Sequence, residues 1–193
     1  YRKDINSVFP IKNQDAPVLY ILLSSNKGMC GSFNTELLSF FDNLISKKEK
    51  NPVILCYGKK GREYLDNKKI PYSEAFVLED VPSYADGCEL FERVKKLIEA
   101  GEISAVKIVY PRYRNMMKQS PVCVDLFSYD EGKAEGEEPL FVPDRQTVIL
   151  STAEKVLVSI LYKKMLETAL GAQAATLTTM RSAYDTACEY SAQ

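Results

Sequence analysis

The chain is predicted to be an α/β protein, with a Rossmann-like, mostly parallel sheet flanked by helices and a long C-terminal helix. Three observations predict it. Short apolar runs of strand length alternate with amphipathic stretches of helix length through the first half of the sequence, the order that gives a parallel sheet covered by helices. Val122, Val124 and Leu126 then alternate with small or polar residues, as on a half-buried strand. Finally, Ser151 to Gln193 contains no proline, and Gly171 is its only helix breaker.

Taken in order, Val18 to Leu23 is an apolar run of buried-strand type, and Phe33 to about Lys48 is a helical stretch. Val53 to Tyr57 is a second strand, and about Lys60 to Asn67 a second helix. Tyr84 to Ala100 places Leu90, Phe91, Val94, Leu97 and Ile98 on one helical face, and the β-branched run Val106 to Tyr110 follows. Ser120 to Phe127 is a further strand, and with the Tyr110 strand it forms an antiparallel hairpin at the sheet edge. Asp130 to Glu138 is polar and acidic, so a solvated loop is expected there.

The last helix is expected to start at Ser151, where Glu154 three residues on completes a capping box. Running to Gln193 it would span ~60 Å, longer than a domain of this size. Its apolar and small residues Leu177, Met180, Tyr184, Ala187 and Ser191 follow the 3-4 spacing of a coiled-coil seam. Nothing else in the sequence supplies the partner helix. The chain starts without methionine and stops without a capping glycine, so it reads as an internal piece of a longer protein whose missing helix lies upstream of Tyr1 or on another chain.

Composition narrows the function. A net charge of -1 disfavours nucleic-acid binding as the main role. The absence of histidine removes the usual general base, the commonest zinc ligand and every Ser-His or Cys-His nucleophile pair. Five widely spaced cysteines, at 30, 56, 88, 123 and 188, fit reduced thiols. No apolar run has the ~20 residues needed to cross a bilayer, so work at a membrane would be peripheral.

Ser24-Ser25-Asn26-Lys27-Gly28-Met29-Cys30-Gly31 sits between a strand and a helix, where α/β proteins often hold phosphates. It lacks the Gly-Lys-Ser/Thr of a phosphate loop and the third glycine of a dinucleotide fingerprint. A tight turn or a protein contact fits it better. Cys30 lies near a helix start, which can activate a thiol, yet no base accompanies it, and a small residue filling a cramped turn is the better account. Gly58-Lys59-Lys60-Gly61-Arg62 is a compact basic cluster that reads as a solvated strand-to-helix turn. Glu79-Asp80 and Glu137-Glu138 are assigned to solvent.

LYILLSSNKGMCGSFN resembles the serine-aspartate-x-glycine-leucine-cysteine-glycine segment of the gamma subunit of F-type ATP synthase. The likeness continues through VILCYGKKGREYLDNKKIP, AVKIVYPRYRNMMKQSPV and LFVPDRQTVILSTAEKVLVSILYKKMLETAL, and ends in AATLTTMRSAYDTACE, which is similar to the family's C-terminal signature. The chain departs from the pattern at Asn26, where aspartate is usual, at Met29 for leucine, at Gly171-Ala172 for serine-glutamate and at Thr176, where arginine is common.

The resemblance implies a non-catalytic central-stalk rotor without cofactor or metal. Residues 1–17 would end an upstream shaft helix, 18–150 would form the globular domain, and 151–193 would begin the C-terminal shaft helix, one half of an antiparallel coiled coil. Lys27, Gly28, Met29, Cys30 and Gly31 would face a beta subunit, and Met180, Ala183, Asp185 and Ala187 would lie on the shaft. Alpha, beta and epsilon subunits and the membrane c-ring would be its partners, at the inner face of an energy-coupling membrane, on the cytoplasmic side in bacteria. A second reading, a stand-alone Rossmann-like phosphate- or nucleotide-binding domain, would use Lys27 and the basic cluster instead. A third is a scaffold that dimerises through the terminal helix.

Overall fold

A computed structural model describes residues 13, 15–48, 51–77, 80–128 and 145–191. Its elements run β1 (Val18–Leu23), α1 (Phe33–Lys48), β2 (Val53–Tyr57), α2 (Lys59–Lys68), β3 (Glu74–Phe76), α3 (Tyr84–Glu99), β4 (Ala105–Asn115), β5 (Lys118–Ser128) and α4 (Arg145–Ser191). The strands form one five-stranded sheet in the order β3-β2-β1-β4-β5. β1 is parallel to both β2 and β4, β2 is parallel to β3, and β5 closes the edge antiparallel to β4. The expected edge hairpin is therefore present.

Because successive strand residues point to opposite faces, β1 builds two cores. Leu19, Ile21 and Leu23 join Leu90, Phe91 and Val94 of α3 and Leu157, Leu161 and Met165 of α4 on one face. Tyr20 and Leu22 join Leu37 and Phe41 of α1 and Leu65 of α2 on the other. Burial on both faces is what makes β1 read as a continuous apolar run.

Helix α3 starts at a capping box: the Ser83 hydroxyl accepts the Asp86 amide at 3.3 Å, and the Asp86 carboxylate accepts the Ser83 amide at 2.6 Å. Helix α4 crosses α3 closely at Gly87, where a Cβ would lie 3.0 Å from Tyr162 Cβ and 3.4 Å from the Val158 carbonyl.

Three expectations are corrected. Helix α4 begins at Arg145, so Ser151 lies inside it and is not its start; Glu154 pairs with Lys95 of α3 at 2.6 Å. Strand β3 has no counterpart among the expected elements, because three residues cannot show an alternation. Asp80, assigned to solvent, pairs with Lys27. The acidic stretch 130–138 lies outside the described residues. At 47 residues, α4 is ~70 Å long, and every residue from Met180 to Ser191 is exposed.

Candidate partner-binding site at the C-terminal edge of the sheet

The strand order reverses between β1 and β4, the point where open α/β sheets leave a ligand crevice beyond the carboxyl ends of the strands. In this chain α4 lies over it. Met165, Thr168, Ala169 and Ala172 close down on Ser24 and Ser25, leaving a groove of about 320 Å³. Polar side chains in its wall are already engaged. Ser24 Oγ donates to the Tyr57 carbonyl at 3.1 Å and accepts the Gly61 amide at 2.8 Å. Ser25 Oγ donates to the Lys27 carbonyl at 2.8 Å, and Thr168 Oγ1 to the Lys164 carbonyl at 2.9 Å.

The amides that a phosphate would need are taken as well. At the N-terminus of α2, the Lys59 amide is held by Asn26 Oδ1 at 3.1 Å, the Lys60 amide by the Ser25 carbonyl at 3.0 Å, and the Gly61 amide by Ser24 Oγ. A helix start is an anion site only while its first amides are free. Asn26, where the family pattern has aspartate, thus serves as a cap. Both glycines of the basic cluster are required by this interlock. A Cβ on Gly58, whose φ is +103°, would overlap the Ser24 carbonyl oxygen, and one on Gly61 would lie 2.7 Å from Ser24 Oγ and 2.8 Å from Cys56 Sγ. All three cations of the cluster turn to their own helix: Lys59 and Lys60 pair with Glu63 at 3.9 and 2.7 Å, and Arg62 with Asp66 at 3.7 Å.

The 24–31 loop is braced from behind by Asn34 of α1. Its amide nitrogen donates to Ser25 Oγ at 2.7 Å and to Cys30 Sγ at 3.1 Å. Cys30 faces inward and packs with Phe33 against Ala175 of α4. It is a packing residue with no base beside it. Gly31 has φ +58°, and a Cβ there would sit 3.1 Å from Thr179 Oγ1. Gly171, a departure from the family pattern, is where Phe33 presses on α4: a Cβ would meet its ring at 3.1 Å. What the loop shows to solvent is Lys27, paired with Asp80, then Gly28, then Met29, 76% exposed and at φ +58°, and, past buried Cys30, Gly31. A left-handed backbone costs a side chain about 1–2 kcal/mol, and Met29, facing solvent, recovers little of it by packing.

Of the nine residues singled out in the sequence, Cys30 and Gly31 lie against α4 at Ala175 and Thr179, Lys27 lines the groove beside it, and Gly28 and Met29 face solvent. Met180, Ala183, Asp185 and Ala187 stand beyond these on the exposed part of the helix, Ala187 being ~12 Å further along the axis than Thr179. They do not converge on one pocket. Among the described residues no helix is long and apolar enough to cross a membrane, and no cluster of three His, Cys, Asp or Glu side chains could hold a metal.

A crevice covered by its own helix, α2 amides engaged by a neighbouring loop, and a helix whose last turns are exposed define an α/β domain that carries a projecting helix. The comparisons agree. A family model described as ATP synthase matches residues 2–193. The gamma chain of ATP synthase from Desulfitobacterium hafniense is 28% identical over 172 residues, 88% of this chain and 61% of that one. The gamma chain from Rubrobacter xylanophilus is 29% identical over 193 residues, covering 95% and 67%. The chain belongs to the ATP synthase gamma-chain family.

Among solved structures, the fold is shared with the central stalk of the Tetrahymena thermophila mitochondrial ATP synthase, with TM-score 0.72, 17% identity and coverage of 94% of this chain and 85% of that one. It is shared too with the Euglena gracilis mitochondrial ATP synthase rotor, with TM-score 0.68, 16% identity and coverage of 94% and 75%. The sequence spans 61% of the Desulfitobacterium relative's length.

Proposed function

We propose that this chain serves in the central stalk of a proton-translocating F-type ATP synthase, as the rotor that couples turning of the membrane ring to ATP synthesis or hydrolysis. The observation that carries the reading is α4 itself. Its lower part is packed against the sheet, α3 and the 24–31 loop, and from Met180 to Ser191 it is exposed all round. Along the seam Leu177, Met180 and Tyr184 are 60%, 52% and 69% exposed. Such a row on a free helix asks for a second helix.

In this reading the subunit carries no catalytic residue. It acts as an asymmetric cam, pushing three catalytic sites through different affinities as it turns, so stiffness at its base matters more than chemistry. Residues 1–17 belong with an upstream shaft helix, 18–150 with the globular domain, and 151–193 with the C-terminal shaft helix that winds with the upstream one into an antiparallel coiled coil. Lys27, Gly28, Met29, Cys30 and Gly31 form the loop that meets a beta subunit, with Met29 as its contact and Cys30 and Gly31 as its seat. Met180, Ala183, Asp185 and Ala187 lie on the shaft inside the alpha and beta ring. The epsilon subunit and the c-ring meet the globular domain, peripheral to the inner face of the energy-coupling membrane and, in a bacterium, on its cytoplasmic side.

The test is co-purification of the full-length gene product with its organism's alpha and beta chains, followed by ATPase assay. A stable complex whose turnover depends on this subunit supports the rotor. A product that purifies alone and binds a nucleotide sinks it. The nucleotide-binding alternative gains nothing from the engaged amides of α2.

A further inference from the structure

The tip of the β4–β5 hairpin plays no part in the packing described so far. Strand β4 pairs with β1 only as far as Val109. Its last six residues, Tyr110–Asn115, therefore extend ~20 Å past the end of that pairing. They run beside α4, where the Glu167 carboxylate accepts the Tyr113 amide at 3.1 Å and the Met116 carbonyl accepts Thr178 Oγ1 at 3.3 Å. The turn itself is Met116-Met117, between the paired residues Asn115 and Lys118.

Turn chemistry does not account for these residues. Two-residue hairpin loops favour Asn and Gly at positive φ, yet among the described residues the non-glycine ones at positive φ are Met29, Asn51 and Lys69, neither turn methionine among them. The register shift between Tyr113 and Asn115 absorbs the mismatch in twist. Met116 and Met117 are 54% and 84% exposed. The hairpin's own charge near the turn is of one sign, because no Asp or Glu occurs between Glu102 and Asp125; the nearest carboxylates come from other elements, Glu36 of α1 and Glu167 of α4. Lys107 takes Asp125, at 3.8 Å. Arg112 reaches the Tyr110 hydroxyl, at 3.4 Å, and Arg114 and Lys118 have no ion pair among the described residues. A groove of about 380 Å³ separates the tip from Gly31. Among the described residues its one carboxylate, Glu36, accepts the Ser32 hydroxyl at 2.6 Å.

We infer that this hairpin tip is a second docking element, which takes an acidic amphipathic helix of a neighbouring protein subunit. The methionines supply an apolar contact that adapts to the partner's shape. Arg114 and Lys118 select a partner of opposite charge. The inference rests on the stalk reading only for what assembly supplies the partner; the chemistry of the surface stands on the hairpin.

The experiment uses the full-length protein and two fluorescent designed peptides, each a leucine-faced amphipathic helix of about 20 residues, one with glutamate on its polar face and one with lysine. The glutamate peptide is expected to bind at least about tenfold tighter at low salt, and the double variant Arg114→Glu, Lys118→Glu to reverse the preference. Both side chains are exposed, so the variant's circular dichroism should match the parent's. Equal binding of the two peptides, binding indifferent to the double variant, or a preference for phosphatidylglycerol vesicles over the glutamate peptide would overturn the inference. Assembly with alpha and beta chains is scored separately. Peptide preference without assembly sinks the stalk reading alone, and assembly without peptide preference sinks the docking element alone.

Discussion

Glu167 of α4 accepts the backbone amide of Tyr113 at 3.1 Å, in the place beside β4 that β1 leaves empty after Leu23. The same carboxylate holds Lys164 at 3.1 Å, and Lys164 donates to the Tyr110 hydroxyl at 2.6 Å. One turn of the helix thus closes the open edge of the strand. Burial pushes the Lys164 ammonium down, but Tyr110 and Glu167 together raise it above its ordinary value. Replacing Glu167 with Ala leaves a part-buried amide and a cation short of their acceptor. That change should cost about 1–3 kcal/mol, and Glu167→Gln, which keeps an oxygen in place, less. Urea unfolding of the two variants is the check, and equal losses would show that the acceptor does not matter.

The Ser24 interlock predicts a sharper loss. Gly58 combines φ +103° with a Cβ position already occupied by the Ser24 carbonyl, so neither rotation nor a side-chain shift relieves Gly58→Ala. A loss of about 3 kcal/mol or more is expected. Gly101 also has a positive φ, +70°, but nothing within 4 Å of its Cβ position. Gly101→Ala is therefore the control, with backbone strain alone, about 1 kcal/mol. Similar melting shifts for the two would mean that the overlap relaxes.

How much of this is legible in the sequence depends on the range of the cause. Helices α1 to α3 and strand β5 announce themselves because burial on a fixed face writes a local period, and β1, β2 and β4 because burial on both faces writes a continuous apolar run. Strand β3 is too short to have a period, and it forms because its backbone can pair with Leu55, Cys56 and Tyr57 of β2. The false start at Ser151 arises from a local motif that the fold uses otherwise, Glu154 being drawn to Lys95 on another helix. Gly58 and Gly61 look, in the sequence, like freedom in a turn. Their reason is Ser24, far upstream, and no spacing rule connects them. The family pattern locates the loop 27–31, but only the packing separates exposed Met29 from buried Cys30.

Met29 offers a separation of stability from contact. Glycine at this position adopts φ +58° without strain, and the exposed side chain has little packing to lose. Met29→Gly should therefore raise stability by about 0.5 kcal/mol, the relief of strain less the entropy glycine adds to the unfolded chain. In the assembled complex the same variant should lose turnover or coupling. A variant that is more stable and fully coupled would remove Met29 from the contact.

Alkali should unfold the protein early. Burial, with Asp66 adding to it, raises the Cys56 thiol from 9.0 to about 12, and burial raises the Tyr57 hydroxyl in the same direction. Both groups are neutral in the fold and ionise more easily once unfolded. Their stabilisation is therefore whole below the unfolded value and drains away as pH climbs toward the folded one. For Cys56 alone the slope is about 1.4 kcal/mol per pH unit within that window. Urea midpoints taken from about pH 8 to about pH 11 should fall with pH, and Cys56→Ala, though less stable at neutral pH, should fall less steeply. Parallel slopes for parent and variant would mean that the thiol is not shielded.

Leu177 and Tyr184 decide whether the free end of α4 is a shaft. Each is more than half exposed in the chain on its own, at 60% and 69%. Replacing both with Asp in residues 1–193 alone should change stability by no more than about 0.5 kcal/mol per site, as at other exposed positions. In the full-length protein the outcome should differ, because there a second helix would bury the seam and two carboxylates would enter an apolar interface without counter-charges. Loss of helix content and of assembly with alpha and beta chains is expected, with the 1–193 piece unaffected. Equal tolerance in both would leave the seam without a partner. Sedimentation of residues 1–193 closes the remaining path: a dimer dispersed by the same two substitutions would make the partner a second copy, as the scaffold reading requires, whereas a monomer leaves the upstream helix as the segment that fits.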